Sequence, residues 1–154
     1  MGVLDDFRGA IVGLDTTPLI YFLEKNATYH PLVRPFFVAM AAPFWGAVAA
    51  QKFSGGTSTM ALVEGLVHPI RNNHHELAGR YREILLNTTN LTTYDLTPDI
   101  AQKAAEIRAN YQFRTPDAIQ LAAALQGNAT FFLTNDLNLK KFNEIKVIGV
   151  EDLA

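Results

Sequence analysis

Apolar positions along the chain fall into two alternating patterns. Residues 10–14, 91–96, 130–133 and 147–150 are short apolar or β-branched runs, the length and composition of strands buried in a sheet. Between them lie longer segments whose apolar residues return every three or four positions. In 72–87, Leu77, Tyr81, Ile84 and Leu85 share one helical face, and Glu76, Arg80 and Glu83 point elsewhere. Thr97-Pro98 starts a helix with Ile100, Ala104, Ile107 and Tyr111 as its inner stripe. Thr115-Pro116 starts another that runs to about Gln126, where Gly127-Asn128 stops it. Thr17-Pro18 opens a helix through Glu24, residues 32–51 are helical with a break near Pro43, and 58–68 form a helix ending at Pro69. Ser54-Gly55-Gly56 reads as a loop.

Strands separated by helices predict a mostly parallel sheet covered on both faces. With 154 residues and no linker or repeat, the whole chain, 1–154, is one domain. In such a fold, chemistry gathers at the carboxyl ends of the strands, where helix N-termini also point.

Composition narrows the class. Hydrophobic residues at 49% exclude a disordered chain, and a net charge of -2 excludes an overall positive field for holding nucleic acid. The absence of cysteine removes thiolate metal sites and cysteine nucleophiles. The acidic start Met1-Gly2-Val3-Leu4-Asp5-Asp6 is unlike a secretory signal. The longest apolar run, 35–50, is too short to span a bilayer and holds Pro43. A cytoplasmic protein with no membrane partner is expected.

Three acids occupy the places where a parallel sheet puts its site. Asp15 follows the first strand, Asp136 follows the strand at 130–133, and Asp117 sits in a helix first turn. Glu64 is a fourth, embedded in the apolar helix segment Met60-Ala61-Leu62-Val63-Glu64-Gly65-Leu66-Val67. Singly, each has an ordinary structural role as a cap, a turn former or a dipole partner. Converging, four carboxylates repel unless they are protonated or bind cations, and Mg2+ or Mn2+ prefers such oxygen ligands. Asp99 repeats the Thr-Pro-Asp pattern but leads a charged, solvated helix, so it is assigned to the dipole. His68, His74 and His75 lack the spacing of a metal site. Arg114, Lys140 and Lys141 lie close in sequence to the acids and are candidates for meeting phosphate groups.

Four stretches in order resemble the PIN domain, most closely the compact bacterial nucleases that include VapC-type toxins. They are Gly13-Leu14-Asp15-Thr16-Thr17-Pro18-Leu19-Ile20-Tyr21-Phe22-Leu23, Thr59-Met60-Ala61-Leu62-Val63-Glu64-Gly65-Leu66, Arg114-Thr115-Pro116-Asp117-Ala118-Ile119-Gln120-Leu121-Ala122 and Phe132-Leu133-Thr134-Asn135-Asp136. The resemblance implies a three-layer α/β/α fold and metal-dependent hydrolysis of phosphodiesters in single-stranded RNA. It names Asp15, Glu64, Asp117 and Asp136 as the catalytic, metal-holding cluster for Mg2+ or Mn2+, with Thr16, Thr134 and Asn135 supporting it. It also implies a small antitoxin protein as partner, if the chain is a toxin, and a homodimer. The stretch 42–50 is longer and more apolar than the family's usual second-helix region, and the apolar stretch 36–50 is expected to be an association surface or to be covered by the fold. Alternatives are a stand-alone PIN nuclease in RNA processing and a catalytically silent PIN-like binding module. A phosphoaspartate receiver or phosphatase fits less well, since Asp15-Thr16-Thr17 lacks the second acid a phosphatase needs.

Overall fold

Residue alternation along the strands decides which layer each side chain enters. In the computed structural model, which describes residues 2–41 and 53–154, five strands form a single sheet in the order β3-β2-β1-β4-β5. The strands are β1 (Ile11–Leu14), β2 (Ser54–Ser58), β3 (Leu91–Tyr94), β4 (Phe131–Thr134) and β5 (Lys146–Gly149), and every pairing is parallel. Val12, Leu14, Leu133 and Ile148 point to one face of the sheet, and Phe132 to the other. The expected mostly parallel sheet is thus wholly parallel, as crossover helices require.

Two helical layers cover these faces. Helices α2 (Thr16–Leu23), α3 (His30–Ala41) and α5 (His75–Asn87) pack on the first face through Leu19, Leu23, Val33, Phe36, Leu77, Tyr81 and Leu85. Helices α6 (Pro98–Tyr111) and α7 (Thr115–Gln126) pack on the second through Ile100, Ile107, Ile119 and Leu121. Helix α4 (Met60–Arg71) lies against α5 and α2. A short α1 (Val3–Asp6), not expected from the sequence, precedes Phe7, whose fully buried ring meets Phe36, Phe53 and Phe131 edge-on.

Three local expectations are corrected. Ser54-Gly55-Gly56 is not a loop but most of β2, an interior strand between β1 and β3. Glycine is required there because a Cβ on Gly55 would lie 2.6 Å from the Met40 sulfur. Gly13 does the same for the other layer, since its Cβ would lie 2.6 Å from that of Ala124 on α7. Helix α4 does not end at Pro69 but continues to Arg71, because a proline in the last turn removes one ladder bond only. Helix α2 is capped by Asp15 rather than by Thr17.

Part of the long apolar segment lies in α3. Phe36, Phe37 and Met40 are buried in the chain's own core, so this part is covered by the fold. Phe44 and Trp45, and the expected break at Pro43, lie outside the described residues. No helix among the described residues is long and apolar enough to cross a membrane.

Candidate active site

The carboxyl ends of β1 and β4 are neighbours in the sheet, so the residues that follow them meet. Asp15 leaves β1 with extended backbone and caps α2, its Oδ1 accepting from the Thr16 amide at 2.9 Å. Its Oδ2 accepts from the Thr134 hydroxyl at 2.7 Å, across from the end of β4. Thr134 in turn accepts from the Asp136 amide at 3.0 Å, and Asp136 caps the 3-10 turn Leu137–Lys141 by accepting from the Asn138 amide. Thr134 therefore fixes Asp15 and the backbone of Asp136 together.

Glu64 reaches the same place from α4. Its Oε1 accepts from Thr16 Oγ1 at 2.8 Å. Thr16 is oriented by Gln120 of α7, whose Nε2 donates to Oγ1 at 3.1 Å. The other end of Gln120 accepts from the Ser58 amide and hydroxyl at 3.1 and 2.8 Å, and lies 3.2 Å from Thr57 Oγ1. A buried polar chain thus runs from the end of β2 through Gln120 and Thr16 to Glu64. The sequence reading had not marked Gln120, Thr57 or Ser58. The available signal was a lone amide inside the apolar run of α7, where every residue from Asp117 to Ala124 is buried.

Asp117 lies in the first turn of α7, its side chain only 6% exposed. Arg114, at the N-cap, lays a guanidinium 74% exposed against it, with Nε 3.2 Å from Oδ2. The hydrogen bond and charge of Asp117, and more weakly the charges of Glu64 and Asp136, hold Arg114 still more firmly protonated. Burial pushes the Asp15 carboxyl up to about 6, and the charges of Asp117 and Glu64 add to the rise. The hydrogen bonds from Thr134 and Thr16 oppose it. Asp15, Asp117 and Glu64 therefore lie close enough for their charges to act on one another, and Arg114 answers only part of them.

Not every candidate is brought to the acids. Asn135 donates to Tyr21 Oη at 2.7 Å, and no hydrogen bond joins it to the four carboxylates. Lys140 is paired with Asp152 at 3.0 Å. Lys141 is exposed, with no ion pair among the described residues.

The donor set is all oxygen, which suits a hard divalent cation. Among the described residues, however, no three His, Asp or Glu side chains converge tightly enough to enclose a metal ion by themselves. Mg2+ keeps several waters and is held by one or two carboxylates and the substrate phosphate. Thr16 links Asp15 and Glu64, its amide donating to the first carboxylate and its hydroxyl to the second.

Comparison with solved structures gives the same fold. VapBC2 of Rickettsia felis, bound to a DNA fragment from its promoter, is similar at 16% identity and a TM-score of 0.64, over 90% of this chain and 98% of that one. A toxin–antitoxin complex from Klebsiella pneumoniae is similar at 20% identity and 0.61, over 92% and 97%. The Mycobacterium tuberculosis toxin VapC20, described as cleaving the sarcin-ricin loop, is similar at 18% identity and 0.65, over 89% and 99%. No curated protein sequence matches the chain. The PIN domain model matches residues 12–145, which span the first strand, all four acids and the polar chain behind them, and the protein therefore belongs to the PIN domain family.

Proposed function

We propose that this chain is a Mg2+- or Mn2+-dependent endoribonuclease that hydrolyses phosphodiester bonds in single-stranded RNA. The observation that carries the reading is Asp15: a carboxylate held by two hydrogen bonds, whose ionisation is opposed first by burial and then by the charges of Asp117 and Glu64. A folded chain keeps such a repulsive cluster where a cation is to be bound. The bound ion supplies a water of lowered pKa and stabilises charge on the leaving oxygen. Asp15 and Glu64 would hold the ion directly, and Asp117 and Asp136 through its waters. Thr134 and Thr16 keep the first two carboxylates pointed inward. A carboxylate of the cluster accepts the proton of the attacking water. Hydrolysis by water leaves a 5′-phosphate and a 3′-hydroxyl. Arg114, exposed beside Asp117, would meet a phosphate beside the scissile bond, with Lys140 and Lys141 as further phosphate contacts.

We assign the protein to the toxin side of a toxin–antitoxin pair, because solved structures of this fold include VapBC complexes and FitAB bound to DNA. A small antitoxin protein is the expected partner, and the cytoplasm the expected compartment. A second copy is also expected, and α4 offers a surface for it. Val63, Val67 and Ile70 are exposed at helical spacing and line an open groove of about 610 Å³ rimmed by Arg71 and Arg82.

The decisive experiment incubates the purified chain with end-labelled single-stranded RNA, with Mn2+ and with EDTA. Cleavage only with metal, abolished in Asp15→Asn, is the expected result. An intact substrate under both conditions would sink the nuclease assignment.

A further inference from the structure

A second charged surface lies away from the acids. Where α2 ends it meets α3, α4 and the start of α5, leaving two adjoining clefts of about 360 and 480 Å³. Leu23, Lys25 and Arg80 line both. Arg34 and His30 complete one, and Glu24, His68 and His74 the other. Lys25, Arg34 and Arg80 are exposed and form no ion pair with any described residue. Three lysine and arginine charges face one carboxylate, a net of +2 on a chain whose total is -2. That carboxylate is already engaged: Glu24 accepts from the buried Tyr81 hydroxyl and has His68 4.0 Å away.

Three features mark this concavity as more than a solvated face. Lys25 stands in the left-handed region, with φ at +52°, just beyond the C-terminus of α2, where the Asn26 amide bonds back to Tyr21. That position favours glycine or asparagine, and strained residues gather where function holds them. The cleft also shares two helices, α2 and α4, with the carboxylate site. His68 lies one turn after Glu64 on the same face of α4. Lys25 lies past the far end of the eight-residue α2 that Asp15 caps, a distance of about 12 Å along the helix. The His30 ring, stacked on Phe22, adds an aromatic wall of the kind that single-strand binders pair with cations.

We propose that this cleft binds the sugar–phosphate backbone of single-stranded RNA, carrying the strand on from the cleavage site with Lys25, Arg34 and Arg80 each on a phosphate. The proposal rests on the ribonuclease reading for its substrate and is tested apart from it. The full-length protein is titrated in EDTA with a fluorescently labelled 12-residue oligouridylate at several salt concentrations. The comparison is with Lys25→Asn, Arg34→Gln and Arg80→Gln combined. Asparagine keeps the left-handed backbone, and the two arginines touch nothing structural, so an unchanged melting temperature certifies the fold.

The expected result is binding weakened at least tenfold. The slope of log affinity against log salt should become shallower by about 2, since each phosphate contact on a single strand contributes about 0.7. An unchanged slope overturns the proposal, whether or not the wild type cleaves RNA. An unchanged slope with lost binding of a labelled oligoglutamate also overturns it and assigns the cleft to an acidic protein segment. Wild-type protein that fails to cleave RNA with Mn2+, but whose binding follows the three cations, overturns the nuclease reading and leaves the cleft standing.

Discussion

Arg114 closes on Asp117 from the surface, its Nε 3.2 Å from a carboxylate that is almost wholly buried. On the metal-dependent reading proposed above, the guanidinium would compete with a bound ion for the same carboxylates. Replacing it with a neutral group removes the competitor and leaves the acids more repulsive. Arg114→Gln should therefore bind Mn2+ several-fold more tightly, in line with the ~1 kcal/mol ceiling of exposed pairs. The same variant should bind RNA more weakly, having lost a phosphate contact. Calorimetric titration with Mn2+ alone checks the first half, and equal or weaker metal affinity would remove Arg114 from this role.

Asp15 gives the apo protein a pH dependence of definite sign. Its carboxyl is raised from 3.8 to about 6 on folding. Below 3.8 the acid is protonated in both states and costs nothing. Between 3.8 and 6 the unfolded chain ionises first, so stability falls as pH rises, and above about 6 the loss is complete. The shift corresponds to roughly 3 kcal/mol as an upper bound. In EDTA, Asp15→Asn should lose much of this slope and be on the order of 1–2 kcal/mol more stable at pH 8, after the weakened Thr134 contact is deducted. Urea melts at pH 4.5 and 8 measure it; a less stable mutant at pH 8 would make Asp15 a structural cap alone.

Divalent metal should reverse that loss. An ion that binds only the folded state at 100 times its dissociation constant adds about 2.7 kcal/mol. For a chain of this size that raises the melting temperature by about 5–10 °C. The shift should nearly vanish in Asp15→Asn and shrink in Glu64→Gln. Thermal melts at millimolar Mg2+ and Mn2+ that coincide with those in EDTA would count against a metal site.

Gln120 holds the cluster from behind. Its amide meets Thr16 on one side and Ser58 on the other, with Thr57 near by, all of them buried. Gln120→Leu keeps the volume but leaves those groups short of a partner, at about 1–3 kcal/mol. The melting temperature should drop by about 2–10 °C. Because Thr16 then no longer fixes Glu64, Mn2+ affinity should fall as well. A variant that melts earlier yet binds Mn2+ like the wild type would confine Gln120 to packing.

What could be read from the chain was whatever has a local signature. Thr97-Pro98 and Thr115-Pro116 start helices because threonine and proline suit a helix entry wherever they occur, and α6 and α7 begin there. Asp15 and Asp136 are legible because strand ends in a parallel sheet converge by topology, whereas Thr134 comes only from the family resemblance. Ser54-Gly55-Gly56 reads as a loop because nothing local distinguishes a glycine-rich loop from a strand stripped to admit Met40; only the packed partner tells. Gln120 was missed for a related reason. Its role depends on Thr16, 104 residues away, and that pairing leaves no trace in helical periodicity.

The outer face of α4 sets the last expectation. Val63 and Ile70 are each more than 60% exposed, with Val67 between them one turn from the first. Positions i, i+4 and i+7 form a straight seam, and a seam of this kind can pair with itself about a two-fold axis. His68 is turned about 100° around the helix from Val67, so a second copy on the seam leaves the basic cleft open. The apolar residues of α3 do not compete for this role, since Phe36, Phe37 and Met40 are spent in the core. Val67→Asp should convert a dimer to a monomer in light scattering at tens of micromolar. Its thermal stability at high dilution should stay within about 0.5 kcal/mol of the wild type, because the side chain replaced is half in solvent. A wild type that scatters as a monomer at the same concentration would remove the seam as a self-association surface.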